Sequence, residues 1–525
     1  MGEPLVLTFD IGTQSIRAML CNKEGNFPAF VQLCYEKPYI SDEAGRAEQE
    51  PDFYYNMLCK ASLQLKEKAG DLFADIKAVT VTTIRDSLLC LDKDKKPLRN
   101  MILWLDRREA GGNLPAGMAK KFAFEYAGMM ETAKMQYSAA FCNWIKENEP
   151  HVYRRTDKFV LLPTYINYLL TGSLRDCAAN QIGHIPLDYK ARKWMAANDM
   201  TRCVFDIPES KLCRLVKSGS TIGNITEEAA AQTGIPAGLP LIATGSDKGC
   251  ETLGLSVHKA GKAALSFGTS ATVQFATQKY YEPQQFLPAY PAVMNDTWNP
   301  EIQIFFGYAM LRWFISQFAQ EEAREAAEKG IAPEEILNAH LNDVPAGCDG
   351  LIVQPYWEPG VAVPLAKGTM TGFTSMHTKY HMYRAIVEGI NFSLMEGLRL
   401  MEKRSKTKIR ELFIAGGGSQ NDTICQITAD MFGLPVKRIH THEASALGSS
   451  MVAFVSLKEF KNYEKAIASM VHVQDTFEPN MKVNARYEDI YENVYTKLYP
   501  RLLPVFKGMK KNGGIKNEHK TVQRL

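Results

Sequence analysis

Neither sign of charge dominates this sequence: 61 Lys and Arg stand against 58 Asp and Glu, a formal net charge of +3. A balance that close gives neither nucleic acid nor an anionic membrane an electrostatic reason to be the main partner. Long apolar runs are also missing. No stretch reaches the roughly 18 uninterrupted apolar residues that a bilayer span needs, and 46% hydrophobic with 23% charged residues is the make-up of a soluble globular chain. Cysteine is present but unpatterned. Eleven thiols are scattered from Cys21 to Cys425 with no C-x-x-C pair, which argues against a disulfide framework or a structural zinc. Reduced, mostly buried thiols of a cytoplasmic protein are the expectation. Met1-Gly2-Glu3-Pro4 leads straight into a strand, without the basic and apolar segments of a secretory leader. The Walker sequence G-x-x-x-x-G-K-[ST], the dinucleotide fingerprint G-x-G-x-x-G and the G-x-S-x-G elbow of hydrolases are all absent.

What is present is an α/β alternation long enough, at 525 residues, for two large domains. Apolar runs at 5–9 and 16–20 flank Asp10-Ile11-Gly12-Thr13 and read as a hairpin. Helical spacing of Phe53, Leu58 and Leu65 follows over 51–69, then strands at 76–82, 88–91 and 101–105. The same grammar returns at 263–275, where a Gly268-Thr269-Ser270 turn separates two strands. LTFDIGTQSIRAML and AALSFGTSATVQF thus read as two copies of one unit, with the boundary between halves near 253–260. A helix at 380–403, a strand at 412–415, a turn of three glycines, a helix at 422–432 and a last helix at 444–457 complete the second half. We expect domains at 1–254 and 255–507 and a flexible basic tail at 508–525.

Several loops carry residues suited to phosphate chemistry. Asp10 ends a strand, where a carboxylate holds a hydrated Mg²⁺, and Thr13, Gln14, Ser15 and Arg17 follow as phosphate donors. Gly268 and Thr269 repeat that design. Asp247, after the strand at 241–243, is a lone strand-end carboxylate and the candidate general base, since phosphoryl transfer to an alcohol needs an acceptor for the hydroxyl proton. Arg85 and Asp86 suit vicinal hydroxyls, Trp104 offers an apolar face to the C–H side of a polyol, and Asp106 and the following arginines add polar fixing points. In the glycine turn, exposed backbone at Gly417 suits an adenine and Asn421 a hydrogen bond to it. His440-Thr441-His442-Glu443 has metal-ligand spacing but lies between a strand and a helix, where Glu443 suits the helix N-terminus.

In this order the pieces resemble the FGGY carbohydrate kinases. Residues 10–15 (DIGTQS) are similar to that family's first phosphate motif, and Arg85-Asp86 falls where glycerol kinases carry an Arg-Glu pair. The stretches 102–108, 144–150 (WIKENEP) and 161–172 (LLPTYINYLLTG) resemble family segments. Gly245-Ser246-Asp247 resembles the segment of the catalytic base, 266–270 the second phosphate motif, and 416–421 with Thr428-Ala429-Asp430 the adenosine motif, followed by a matching helix start at 443–448. The resemblance implies two domains of the actin-like ATPase (ribonuclease H-like) fold with an interdomain cleft. It also implies ATP and Mg²⁺ as cofactors, and transfer of phosphate to a terminal hydroxyl of a small sugar or polyol, such as the ketopentose xylulose. A homodimer fits the same family. The sequence departs from it at Phe141, where a Lys is usual, and lacks the Gln-Met-His of bacterial xylulose kinases at 83–85. The alternative is an actin- or chaperone-like ATPase, or a sugar sensor, without kinase activity.

Overall fold

The computed structural model describes residues 2–284, 287–360 and 363–511. Two compact units emerge. The first gathers Met1–Gly254, Ala289–Trp298 and Glu443–Val471, and the second Leu255–Pro288, Asn299–His442 and His472–Leu525. Two stretches from beyond residue 254 therefore pack within the first unit.

In the first unit, β1 (Leu5–Ile11), β2 (Ser15–Cys21) and β3 (Ala29–Cys34) form an antiparallel meander. β4 (Ile76–Thr83) lies parallel to β1, and β5 (Thr221–Asn224) and β6 (Pro240–Ile242) complete the sheet in the order β5-β6-β4-β1-β2-β3. β1 is buried along its whole length, as an interior strand covered on both faces must be. Helix Phe53–Ala69 covers the sheet through Tyr54, Leu58 and Leu65, joining Phe9, Val79 and Leu241 in one core. A second core, around Cys90, Phe124, Trp144 and Phe159, lies under the smaller sheet that contains Leu88–Leu91.

The second unit repeats the pattern. β7 (Lys262–Phe267), β8 (Ala271–Gln274) and β9 (Glu301–Ile304) form the meander, and β10 (Glu411–Ala415), β11 (Val436–Ile439) and β12 (Val473–Phe477) follow. Their order is β9-β8-β7-β10-β11-β12, with β7, β10 and β11 parallel and β12 antiparallel. Strand for strand this is the first sheet again, so the duplicated sequence units are duplicated meanders. The copies differ at one edge: β5 precedes its neighbour β6 in the chain, whereas β12 follows β11.

Expected boundaries differ from the observed ones by a residue or two at most elements. The strand expected over 101–105 is shorter, Met101–Ile102, because Asp106 N turns back onto the Leu103 carbonyl. Residues 508–511 of the expected basic tail continue helix Thr496–Lys511, and the rest of that tail lies outside the described residues. All eleven cysteines are free and eight are buried. Among the described residues no helix is long and apolar enough to cross a membrane.

Candidate active site

The β1–β2 turn places the first group of side chains. Asp10 faces Arg17 across the two-strand ladder, and Arg17 Nη1 donates to Asp10 Oδ2 over 3.2 Å. On its other side the Arg17 guanidinium lies 3.5 Å from Glu443, at the start of helix Ala444–Ser456. Arg17 is therefore a bridge between two carboxylates. Burial pushes the Asp10 carboxyl up to about 6; Arg17 opposes the shift, while Glu443 and Asp247 add repulsion. Burial likewise raises Glu443, against the pull of Arg17. At the tip of the turn Gly12 N donates to the Ser15 carbonyl, and the Thr13 hydroxyl accepts from Trp104 Nε1 at 3.1 Å. Gln32 Nε2 donates to Ser15 Oγ, and the main-chain carbonyl of Gln14 accepts from Tyr35 N.

Asp247 begins helix Asp247–Gly254, directly beyond β6 and its Gly245-Ser246 turn. Its carboxylate is partly exposed and stands 3.8 Å from Arg85 Nε. Arg85, from the loop after β4, lies over the Tyr290 ring at 5.3 Å, and Tyr290 in turn packs edge-on against Tyr189. Tyr290 belongs to one of the stretches that return to this unit, so sequence neighbourhood gave no signal for it.

Asp86 has a left-handed backbone (φ 52°). Its Oδ1 accepts from His184 N at 2.9 Å and its Oδ2 meets His184 Nδ1 at 2.6 Å. Burial alone would raise the Asp86 carboxyl, but the charge and hydrogen bonds of His184, with Arg85 beside it, hold it below the usual carboxylate range. Asp106 and Arg108, expected to fix a ligand, are instead structural. Arg108 donates from Nε and Nη2 to Asp106, Ala47 N donates to the same carboxylate, and the Arg108 guanidinium covers the Trp144 ring at 4.5 Å. Both residues are buried.

The second unit holds the other Gly-Thr turn. The N-terminus of helix Ala309–Phe318 is folded onto it: Gly307 N donates to the Thr269 carbonyl, Tyr308 N to the Gly268 carbonyl, and Arg312 Nη2 to Thr269 Oγ1 at 3.2 Å. Arg312 lies outside the motifs of the sequence and reaches the turn only through the fold. After β10, Gly416 takes φ 89° with no room for a side chain against the Phe267 backbone, which explains the first glycine of the triplet. Gly417 has open space beside it, and Gly418 abuts the Tyr308 ring. Asn421 caps helix Asp422–Phe432 by accepting from Ile424 N through Oδ1, so its side-chain N–H₂ is the part available for a ligand. His440 N donates to the His472 carbonyl and their rings pack 5.0 Å apart; among the described residues no cluster of His, Cys, Asp and Glu has metal-holding geometry.

Residues 5–254 match the model of the N-terminal domain of the FGGY family of carbohydrate kinases, and residues 263–457 match the model of its C-terminal domain. The xylulose kinase of Bacillus subtilis (strain 168) is 26% identical over 492 residues, covering 92% of this chain and 95% of that protein. A ligand-bound xylulose kinase from Lactobacillus acidophilus superposes with a TM-score of 0.82 at 22% identity, over 96% of this chain and 100% of that one. A gluconate kinase from the same organism gives 0.81 at 21%, over 97% and 100%. The structural likeness shows the fold, α/β with two domains of the actin-like ATPase type. The alternative of a non-kinase ATPase or sensor finds no support among these relatives.

Proposed function

We propose that Asp247 is the general base of phosphoryl transfer in this chain, which belongs to the FGGY family of carbohydrate kinases. The enzyme transfers phosphate from ATP to a sugar or polyol. In the proposed step a terminal hydroxyl oxygen attacks the γ-phosphorus, its proton passes to the Asp247 carboxylate, and the bond from phosphorus to the ADP oxygen breaks. The observation that carries this reading is the position of Asp247: a partly exposed carboxylate at the head of a helix, 3.8 Å from Arg85, in the unit that also holds Asp10. Arg85 and Trp104 are read as sugar contacts, with Asp86 behind them.

Thr13, Gln14, Ser15 and Arg17 in the first unit, and Gly268, Thr269, Gly417 and Asn421 in the second, are assigned to the nucleotide. Arg17 serves by offsetting two carboxylates, and Arg312 joins Thr269 as a cation beside the phosphates. The electrostatics around Asp10 suit a divalent cation, because Glu443 and Asp247 both repel its carboxylate and the Arg17 that offsets them is shared with Glu443. Mg²⁺ held there through water would neutralise phosphate charge. The domain roles follow: sugar and base in 1–254, second phosphate and adenosine motifs in 255–507. A ketopentose such as xylulose, or a related polyol, is the proposed substrate, and a cytoplasmic homodimer the proposed setting.

The test is ADP release with Mg²⁺-ATP and a panel of ketopentoses, tetritols, glycerol and hexonates. Asp247→Asn should lower kcat at least about a thousandfold, a loss of roughly 4 kcal/mol of transition-state stabilisation, with ATP binding retained. A variant that turns over at the wild-type rate removes Asp247 from this role.

A further inference from the structure

The side chain that the site reading left without a task is His184. Its segment, 178–188, crosses beside Arg85 and Asp86, and Tyr189 pins that crossing by donating to the Gly183 carbonyl while Gly183 N donates to its hydroxyl. The contact between His184 and Asp86 is two-pronged: one carboxylate oxygen takes the main-chain N–H and the other the ring Nδ1. A separation of 2.6 Å is that of a charge-assisted bond. Both oxygens of Asp86 are thereby engaged, so this carboxylate is poorly placed to receive two substrate hydroxyls. The ring, in contrast, keeps 30% of its side-chain surface, and Nε2 has no partner among the described residues.

We propose that His184 touches the substrate through Nε2, that Asp86 is the positioning residue that aims the ring, and that the group met by Nε2 is an acceptor oxygen of the sugar, either a ketose carbonyl or an aldonate carboxylate. The proposal rests on the reading that Asp247 marks the sugar site. The case for an acceptor is one of supply and demand. A substrate built only of hydroxyls brings a donor with every oxygen and needs acceptors to meet them. With Asp86 turned onto His184, its neighbours are N–H bearers: the Arg85 guanidinium, which stands 3.8 Å from Asp247, and the His184 ring. A carbonyl or carboxylate satisfies donors without adding any. The charge state agrees. The groups facing His184 are Asp86, with Arg85 and Tyr189 behind it. Burial works against a charged ring, yet the Asp86 carboxylate overrides it and raises the imidazole above its ordinary value. The shift favours the doubly protonated ring, the form in which Nε2 carries a proton and donates.

Two substitutions separate a ligand contact from a structural role. In His184→Asn the amide N–H₂ takes the place of Nδ1 and keeps the bond to Asp86, but nothing occupies Nε2. In His184→Gln the amide N–H₂ reaches the Nε2 position and the bond to Asp86 is lost. Calorimetric titration of wild type and both variants with D-xylulose, D-gluconate and glycerol reads the contact directly. We expect the tighter of D-xylulose and D-gluconate to bind wild type more tightly than glycerol does, and to identify carbonyl or carboxylate as the group read. For that sugar His184→Asn should raise Kd at least about tenfold, the scale of one lost charged hydrogen bond, and His184→Gln should stay within about threefold. The opposite ranking of the variants, an unchanged Kd in His184→Asn, tightest binding of glycerol, or no binding of either acceptor-bearing sugar would each overturn the proposal. If the Gln variant fails to fold, the Asn variant alone still decides. Because the readout is binding, a full-rate Asp247→Asn enzyme would sink the base assignment and leave the His184 contact to be judged separately.

Discussion

The indole N–H of Trp104 donates to the hydroxyl of Thr13 over 3.1 Å, joining a proposed sugar contact to the proposed phosphate turn within one unit. A sugar that packs against the indole thereby restrains the turn as well. Trp104→Phe keeps an apolar face and removes the donor; Thr13→Val keeps the shape and removes the acceptor. Each should raise KM for both sugar and ATP. The double variant should be less impaired than the sum of the singles, with a coupling of about 0.5–1.5 kcal/mol in kcat/KM. Strict additivity would mean that the hydrogen bond carries no coupling.

The bridge from Asp10 through Arg17 to Glu443 makes a pH prediction with a definite sign. Asp10 is raised from 3.8 to about 6, so the folded chain binds this proton more tightly than the unfolded chain does. Its contribution to stability is present below 3.8 and is lost as pH rises through about 6. Activity runs the other way, because the ionised form is the one suited to a cation: kcat/KM should fall as pH drops through about 6. Glu443→Gln removes one repelling charge and leaves Arg17 to Asp10 alone. Both changes lower the Asp10 pKa, so the acid limb should move to lower pH. A limb that stays put, or moves up, would show that Asp10 does not govern it.

Arg312 donates to Thr269 Oγ1 from a largely exposed position. If that cation serves the phosphates, Arg312→Ala should raise KM for ATP about tenfold with little change in KM for the sugar, and Arg312→Lys should recover part of the loss. Equal effects on both substrates would point to a disturbed turn instead.

Much of the fold was legible because the signals were local. β-branched and apolar runs, Gly-Thr turns and helical spacing placed β1, β2, β4, β7, β10 and helix Asp422–Phe432 within a residue or two. The duplicated turn even foretold the duplicated meander. What stayed hidden depends on partners far away in sequence. Tyr290 reaches Arg85 from a stretch about two hundred residues downstream, Glu443 reaches Arg17 from beyond four hundred, and His184 claims Asp86 from a segment with no motif of its own. The polar pair Asp106 and Arg108 misled for a related reason. Charged residues beside a Trp suit ligand and core alike, and only burial under Trp144 decides.

The placing of Asp247 rests on two glycines. Helix Asp247–Gly254 crosses helix Ala444–Ser456 so closely that a Cβ on Gly254 would lie 1.9 Å from the Ala444 carbonyl oxygen, and one on Gly448 would lie 1.9 Å from that of Cys250. Both collisions are with backbone, which cannot rotate away as a side chain does, so the helices must part. At their N-terminal ends the same helices are tied by Ser445 Oγ donating to the Asp247 carbonyl at 3.2 Å. Parting them pulls Asp247 and Glu443 away from where Arg85 and Arg17 meet them. Gly254→Ala and Gly448→Ala should therefore each cost about 1–3 kcal/mol or more of stability, the range for overpacking a tight interior. Ser445→Ala, which leaves the crossing intact, should cost little stability. The decisive measurement pairs the thermal midpoint with kcat: in a glycine variant that still folds, kcat should fall at a temperature well below the midpoint. A glycine variant with a lowered midpoint and an unchanged kcat would show that the crossing stabilises the unit without positioning the proposed base.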